Sequence, residues 1–410
     1  MELGSTLWIL ASYISLLILC WVFAWVLYYD LTRTHLPTEI RQRTKLRCIT
    51  LLATFLMTLA AGAEKIGICN RYKIWRLALN GIPPLTKSGL VIKDLLFDGV
   101  PVRVYWPKTK AAGNRRGVIY IPGGVGLLGS RAAYERVCRY IARESDSVVV
   151  SVGYRLAPEH LYPLPVLDCC TVATHFLKNA LDYGVDPSHI TIGGDSSGAT
   201  FAAAVCQRLT ARKDLPRLRG QVLLYPFLQA LDFNLPSYQQ NHLVPPLFKK
   251  RAVKLGLMYL TGKYENMDRI MKNAHVPKDL WSKYRKWISA DHIPEEFKAR
   301  GYVPFEPPPF CEDLHAICKK GFDPMFSPLL AEDEAIRRLP KTFILTCEYD
   351  VVRDDGLLYK KRLEDNGVPV TWHHVKDGFH GIVFFIDYGP FEFQSSRSSL
   401  KHLTHFLEGL

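Results

Sequence analysis

Several features are missing from this 410-residue chain, and each absence excludes something. No Asn-x-Ser/Thr sequon occurs, so glycosylation says nothing about compartment. The ten cysteines follow no framework spacing: Cys20 falls in an apolar run and Cys169 and Cys170 are adjacent. A disulfide scaffold is therefore not indicated. No His, Cys, Asp or Glu set has usable metal-ligand spacing. His373 and His374 adjoin in a strand-like run, so their side chains point to opposite faces. There are no internal repeats and no low-complexity tracts. Gly123-Gly124-x-Gly126 misses the Gly-x-Gly-x-x-Gly register of a dinucleotide site. No cofactor is implied.

The basic excess also lacks a focus. Lys and Arg number 52 against 39 Asp and Glu, a formal charge of +13, but they spread along the chain instead of forming a run interleaved with aromatics. That pattern excludes nucleic acid as a partner and favours anionic lipid.

What is present begins with apolar mass. Hydrophobic residues make up 48% of the chain and aromatics 12%, enough for a sizeable core. The length is great for one domain but ordinary for an α/β fold carrying a cap. Thr6 to Tyr29 carries no charge and is long enough to cross a bilayer as a helix. Trp21, Trp25, Tyr28 and Tyr29 gather toward one end, as interfacial aromatics do. Tyr28-Tyr29-Asp30-Leu31-Thr32 offers no small-x-small cleavage site, so the span reads as an uncleaved anchor rather than a signal peptide. Arg33, Arg41, Arg43, Lys45 and Arg47 follow it, which by the positive-inside rule puts the rest of the chain in the cytosol. A second apolar stretch, Cys48 to Ala63, is short for a span. It suits a helix in the membrane interface or in a cap, with a hairpin of two membrane helices as the alternative.

Further along, short apolar runs alternate with helical stretches. Leu90 to Tyr105 reads as an opening hairpin. Val118–Ile121, Ser147–Gly153, Ile190–Gly193 and Gly220–Tyr225 read as successive strands, and a strand from Thr342 and another from Val370 follow later. This rhythm predicts a mostly parallel sheet covered on both faces. Residues 227–324 break it with Pro, aromatic and basic residues and with helical pieces at Phe248–Thr261 and Pro277–Ile288. They read as a cap inserted over the site.

The chemistry centres on Gly194-Asp195-Ser196-Ser197-Gly198, which fits Gly-x-Ser-x-Gly between a strand and an Ala-rich helix, Ala199 to Arg212. A sharp turn there lifts the serine oxygen off the sheet and sets it at a helix N-terminus. Ser196 is the candidate nucleophile. The acid and base should follow in chain order. Asp350 ends the strand Thr342–Tyr349, and His380 follows the strand that begins at Val370. Both sit past strand ends, where a parallel sheet places its site. Asp354 and Asp355 are competing acids that suit the first turn of the next helix. His373 and His374, inside a strand, are poorer bases.

Tyr154-Arg155-Leu156-Ala157-Pro158-Glu159-His160 with Pro163 and Asp168, the Arg353-Asp354-Asp355-Gly356 run after Asp350, Asp377-Gly378-Phe379-His380-Gly381, and Ser327-Pro328-Leu329-Leu330 resemble blocks of hormone-sensitive-lipase-type esterases. The chain is most similar to arylacetamide deacetylase-like proteins, in particular the deacetylase-like 4 branch, from the N-terminal anchor to nearly the C-terminus. The resemblance implies an α/β-hydrolase with a helical cap and an N-terminal transmembrane helix. Its segments would be a tail at 1–5, a signal-anchor at 6–29, a linker and N-terminal cap segment at 30–89, and a hydrolase domain at 90–410 with the insertion at about 227–324. It implies a serine esterase or deacetylase acting on lipophilic esters or acetamides, without cofactor or metal. It also implies a type II protein of the endoplasmic reticulum with a lumenal catalytic domain, against the charge rule.

One block departs from the family. The usual His-Gly-Gly-Gly is here Pro122-Gly123-Gly124-Val125. Backbone donors make an oxyanion hole, and Gly123, Gly124 and Ser197 are the expected ones, with Val125 a further contributor. Valine restricts φ and ψ and crowds the acyl carbon. The alternative is therefore a weak or silent hydrolase-fold protein that binds lipid or small molecules. An interaction protein using the cap as its surface is a third reading.

Overall fold

The computed structural model of the chain describes residues 2–81, 83–84, 89–109 and 113–410. Its framework is set by runs such as Val148-Val149-Val150-Ser151-Val152, in which every residue is buried. Continuous β-branched runs of this kind need cover on both faces. Eight strands form one sheet: β1 (Leu90–Phe97), β2 (Val100–Pro107), β3 (Arg115–Ile121), β4 (Val148–Val152), β5 (Val185–Asp195), β6 (Gly220–Leu224), β7 (Lys341–Tyr349) and β8 (Val370–Phe379). Their spatial order is β1-β2-β4-β3-β5-β6-β7-β8. β1 and β2 form an antiparallel hairpin, β2 runs antiparallel to β4, and all later pairs are parallel. The hairpin turn is Asp98-Gly99, both at positive φ (47° and 85°), the geometry for which Asp-Gly is suited.

Alternation along the strands builds two cores. Ile119 and Ile121 of β3 face one layer, and Val118 and Tyr120 face the other. The first layer packs against residues of Leu164–Lys178, Ser197–Leu209 and Arg353–Asp365. The second packs against Glu135–Glu144 and the C-terminal helix Gln394–Glu408. This is the doubly covered, mostly parallel sheet of the α/β-hydrolase fold.

The N-terminal part lies outside the sheet. It comprises α1 (Glu2–Arg33), α2 (Arg43–Lys65) and α3 (Arg71–Asn80). The helix α1 runs past both ends of the expected span, because no breaker interrupts it. Most of its large apolar side chains are exposed, Trp8 at 77% and Trp21 at 68%, whereas Val22, Val26 and Asp30 are buried. Arg47 of α2 pairs with Asp30 at 3.1 Å, and the Phe23 and Phe55 rings meet at 5.9 Å. Residues Thr6–Arg33 and Arg43–Lys65 are both long and apolar enough to cross a membrane, by length and composition. That makes the second stretch longer than its apolar centre, Cys48 to Ala63, suggests. Arg76 of α3 grips the hydrolase core: it donates to Leu127 O at 2.7 Å and Ala157 O at 2.6 Å, and holds Glu159 through two bonds of 2.9 and 2.7 Å.

Between β6 and β7 the chain leaves the sheet. With helices Glu135–Glu144, Leu164–Lys178 and Ser197–Leu209 as α4, α5 and α6, this excursion carries α7 (Pro236–Gln240), α8 (Lys249–Thr261), further short helices that include Lys278–Tyr284 and Glu312–Cys318, and single turns before β7. Its residues wall the cavity over the C-terminal ends of the strands.

Candidate active site

β5 ends at Asp195, and the chain turns at Ser196 with φ 52° and ψ −124° before α6 begins at Ser197. The turn presses its backbone onto the end of β3. A Cβ on Gly194 would stand 2.4 Å from Ile121 O, and one on Gly198 would stand 2.1 Å from it. Only glycine fits at these two places. The Ser196 N–H is held by Leu224 O at 2.9 Å, which fixes the strained residue against β6.

Asp350 follows β7 directly. Its Oδ1 accepts the Val352 N–H at 3.0 Å, and its carbonyl accepts from Asn241 Nδ2 at 2.8 Å. The side chain is fully buried. His380 follows β8. Its Nδ1 lies 2.8 Å from Asp350 Oδ2, and its Nε2 lies 2.8 Å from Ser196 Oγ. A carboxylate can only accept, so Nδ1 carries the proton and Nε2 presents a lone pair to the serine hydroxyl. The Tyr225 ring packs beside the imidazole, centroids 5.1 Å apart. The fold thus joins Ser196, His380 and Asp350 in one hydrogen-bonded chain.

The competing residues are engaged elsewhere. His374 Nδ1 meets Thr346 Oγ1 at 3.0 Å and its Nε2 meets Glu348 at 3.2 Å. His373 stacks on His402, and burial pushes its pKa down to about 4. Asp354 pairs with Arg353 at 2.9 Å and accepts the Ser237 N–H at 2.7 Å. Asp355 accepts from Leu228 N–H at 2.8 Å. Both acids lie in the first turn of the helix Arg353–Asp365, as expected, and both are fully buried.

The loop after β3 differs in detail from expectation. Gly123 donates its N–H to Asp195 Oδ1 at 2.9 Å, so this donor is committed inside the protein and is not offered to the cleft. The N–H of Val125 goes to Ser197 Oγ at 2.6 Å. The N–H groups of Gly124 and Ser197 have no protein acceptor among the described residues. Three successive residues, Gly124, Val125 and Gly126, take positive φ of 112°, 57° and 67°. Glycine suits this region, and a β-branched residue in it is a real outlier.

Asp195, the variable residue of the five-residue motif, was not singled out from sequence. It is buried and accepts from Tyr134 Oη at 2.7 Å, Tyr120 Oη at 3.0 Å and the Gly123 N–H. Burial pushes its pKa up to about 6, and the bonds from Tyr134, Gly123 and Tyr120 oppose that rise. No sequence signal marks it, because its partners lie 61 to 75 residues away.

The cleft at Ser196 is apolar. A cavity of about 50 Å³ is lined there by Ser196, Ser197, Val125 and His380 together with Phe201, Phe227, Tyr259 and Phe326. No cluster of His, Cys, Asp or Glu able to hold a metal ion occurs among the described residues.

Residues 118–284 and 310–384 match the α/β-hydrolase fold family. The chain is similar to arylacetamide deacetylase-like 4 of Homo sapiens, with 42% identity over 389 residues that cover 95% of this chain and 96% of the relative. It is 38% identical to arylacetamide deacetylase of Bos taurus over 387 residues, 92% and 94% of the two chains. Among solved structures, a thermostable carboxylesterase cloned from a metagenomic library matches with a TM-score of 0.60 and 25% identity. That match covers 82% of this chain and 94% of the other.

Proposed function

Because the chain belongs to the α/β-hydrolase family, among the arylacetamide deacetylase-like proteins, we propose that it is a serine hydrolase cleaving carboxylic esters or acetamides of lipophilic substrates through an acyl-enzyme. The observation that carries this reading is the continuous pair of 2.8 Å contacts from Ser196 Oγ to His380 Nε2 and from His380 Nδ1 to Asp350 Oδ2. Ser196 Oγ attacks the carbonyl carbon as His380 Nε2 takes its proton. Asp350 holds the imidazole in the required tautomer and stabilises the cation. The oxyanion of the tetrahedral intermediate meets the free N–H groups of Gly124 and Ser197. His380 then returns the proton to the leaving alcohol oxygen or amine nitrogen, which departs. Water, activated by the same imidazole, attacks the acyl-serine and releases the acid. No step calls for a cofactor.

Labelling by a fluorophosphonate tests this. The wild type should label, and Ser196→Ala, folded to the same melting midpoint, should not; equal labelling of both sinks the nucleophile assignment. A second reading, a slow or silent hydrolase that binds lipid or small molecules, is favoured by the Val125 N–H, which is already taken by Ser197 Oγ. A protein that labels but turns over no ester supports it.

The proposed organisation keeps a tail at 1–5, an uncleaved anchor at 6–29, a linker and cap segment at 30–89, and the hydrolase domain at 90–410 with its insertion at about 227–324. The exposed apolar surface of α1 supports the anchor. The endoplasmic reticulum and the lumenal side rest on family resemblance, while the basic residues after the span favour the cytosol. A sequon engineered on an exposed hydrolase loop reports the side. Glycosylation means lumenal, and an unmodified sequon on a domain that external protease strips from sealed vesicles means cytosolic. Release by alkaline carbonate removes the anchor itself.

A further inference from the structure

Behind the cleft at Ser196 lies a second cavity. It is narrow, with a volume of about 40 Å³, and it shares Phe227, Ala252, Gly256, Phe326 and Val352 with the first. The Phe227 and Phe326 rings stand edge to face at 6.0 Å on this shared wall. Beyond them the lining turns to side chains such as Phe233, Leu257 and Leu260 of the excursion between β6 and β7. The far wall includes His275, stacked between Phe233 and Phe322 with its Nε2 on Ala230 O at 3.0 Å. Burial pushes its pKa down to about 4, so it is neutral and the wall carries no charge.

Gly256 is the anomaly. It sits inside α8 (Lys249–Thr261), where glycine is the worst choice after proline. Its φ is an ordinary helical one, so the backbone does not require glycine. Packing does not require it either, because a Cβ built there has no heavy atom within 4 Å. The space that glycine leaves is where the two cavities adjoin.

We propose that Gly256 keeps open a passage from the Ser196 cleft into this second, apolar compartment, and that the compartment receives an extended hydrocarbon tail of the substrate. The proposal rests on the hydrolase reading above and names its substrate class: esters or amides with a flexible apolar chain that continues past the Phe227–Phe326 pair. The tail belongs to either the acyl or the alcohol side of the scissile bond, and the experiment distinguishes the two.

The full chain in detergent is assayed on two series, p-nitrophenyl acetate against p-nitrophenyl decanoate, and ethyl acetate against decyl acetate. The readout is the long-to-short ratio of kcat/KM in wild type, Gly256→Ala and Gly256→Leu. Each methylene excluded from an apolar site costs about fourfold, so blocking several should be plain. Gly256→Leu should lower the ratio tenfold or more in one series, the decanoate series if the tail is acyl and the decyl series if it is on the alcohol. Gly256→Ala should lower the same ratio about threefold, and it decides the matter should the leucine variant not fold. Ratios within twofold of wild type in both series overturn the proposal. Should the wild type hydrolyse none of the four esters, the hydrolase reading fails separately. Binding of dodecan-2-one to Ser196→Ala, measured by calorimetry with and without Gly256→Leu, then tests the compartment. Tenfold weaker binding in the double variant supports it, and equal affinity overturns it.

Discussion

The hydroxyl of Ser197 accepts the backbone N–H of Val125 at 2.6 Å, across the mouth of the site and 72 residues apart in sequence. The residue after the nucleophile therefore does two things. Its own N–H has no protein acceptor among the described residues, and its side chain occupies a neighbouring donor. On the proposed mechanism, an oxyanion would compete with the Ser197 hydroxyl for the Val125 hydrogen.

Removing the competitor should release that donor. Ser197→Ala is expected to keep fluorophosphonate labelling and to raise turnover on a small ester by at least tenfold, toward the 10²–10³ that one oxyanion donor is worth. Unchanged turnover in a variant of equal stability would show that the Val125 N–H does not point where the oxyanion forms.

Val125 itself is strained, at φ 57°. Glycine at this position loses more chain entropy on folding but avoids the left-handed penalty, and the balance favours Val125→Gly by about 1 kcal/mol. Urea denaturation of the two proteins measures it. A variant less stable than the wild type would mean that the valine side chain packs well enough to offset the backbone cost.

The two candidate bases separate by mutation. His380→Ala should lower turnover by several orders of magnitude, as for members of a unit that act together. His374→Ala should stay within a few fold, because that ring is bound to Thr346 and Glu348. A larger loss from His374→Ala would overturn the assignment.

Asp195 predicts a pH signature. Its pKa in the fold, about 6, lies above the ordinary 3.8, so the folded protein holds the proton more tightly than the unfolded chain. Stability from this group is present below about pH 4 and is lost as pH rises through 6. Asp195→Asn has no such loss. Its stability relative to wild type should therefore rise between pH 4.5 and 7, by on the order of 1–3 kcal/mol, and then level off. Urea melts across that range would show a flat difference if Asp195 titrated normally.

The architecture was legible because β-branched runs and Gly-x-Ser-x-Gly are local signals. Ser196, Asp350 and His380 could be picked together since each follows a strand end and the order along the chain is fixed by the sheet. The commitments of individual N–H groups were not legible. Gly123 looks like a free donor until the fold brings Asp195 to it at 2.9 Å. Asp354 and Asp355 read as first-turn acids, but their acceptance of the Ser237 and Leu228 N–H groups, brought from the excursion before β7, does not show in the sequence. These contacts join segments more than 70 residues apart, and no local pattern encodes which side chain will fill which donor. Gly256 was equally silent, since a glycine within a helical run gains meaning only once the open space around it is known.

The position of β7 and β8 has a consequence for the chain as it is made. Ser196 emerges early, but His380 stands 184 residues behind it and 30 behind Asp350. β8 is the outermost strand on its side and pairs with β7 alone. Until both strands have docked, the serine has neither its base nor the acid that orients it. On the proposed triad, a nascent or truncated chain that lacks these strands carries Ser196 without either partner. Reactivity, on that same triad, waits for the last strand of the sheet.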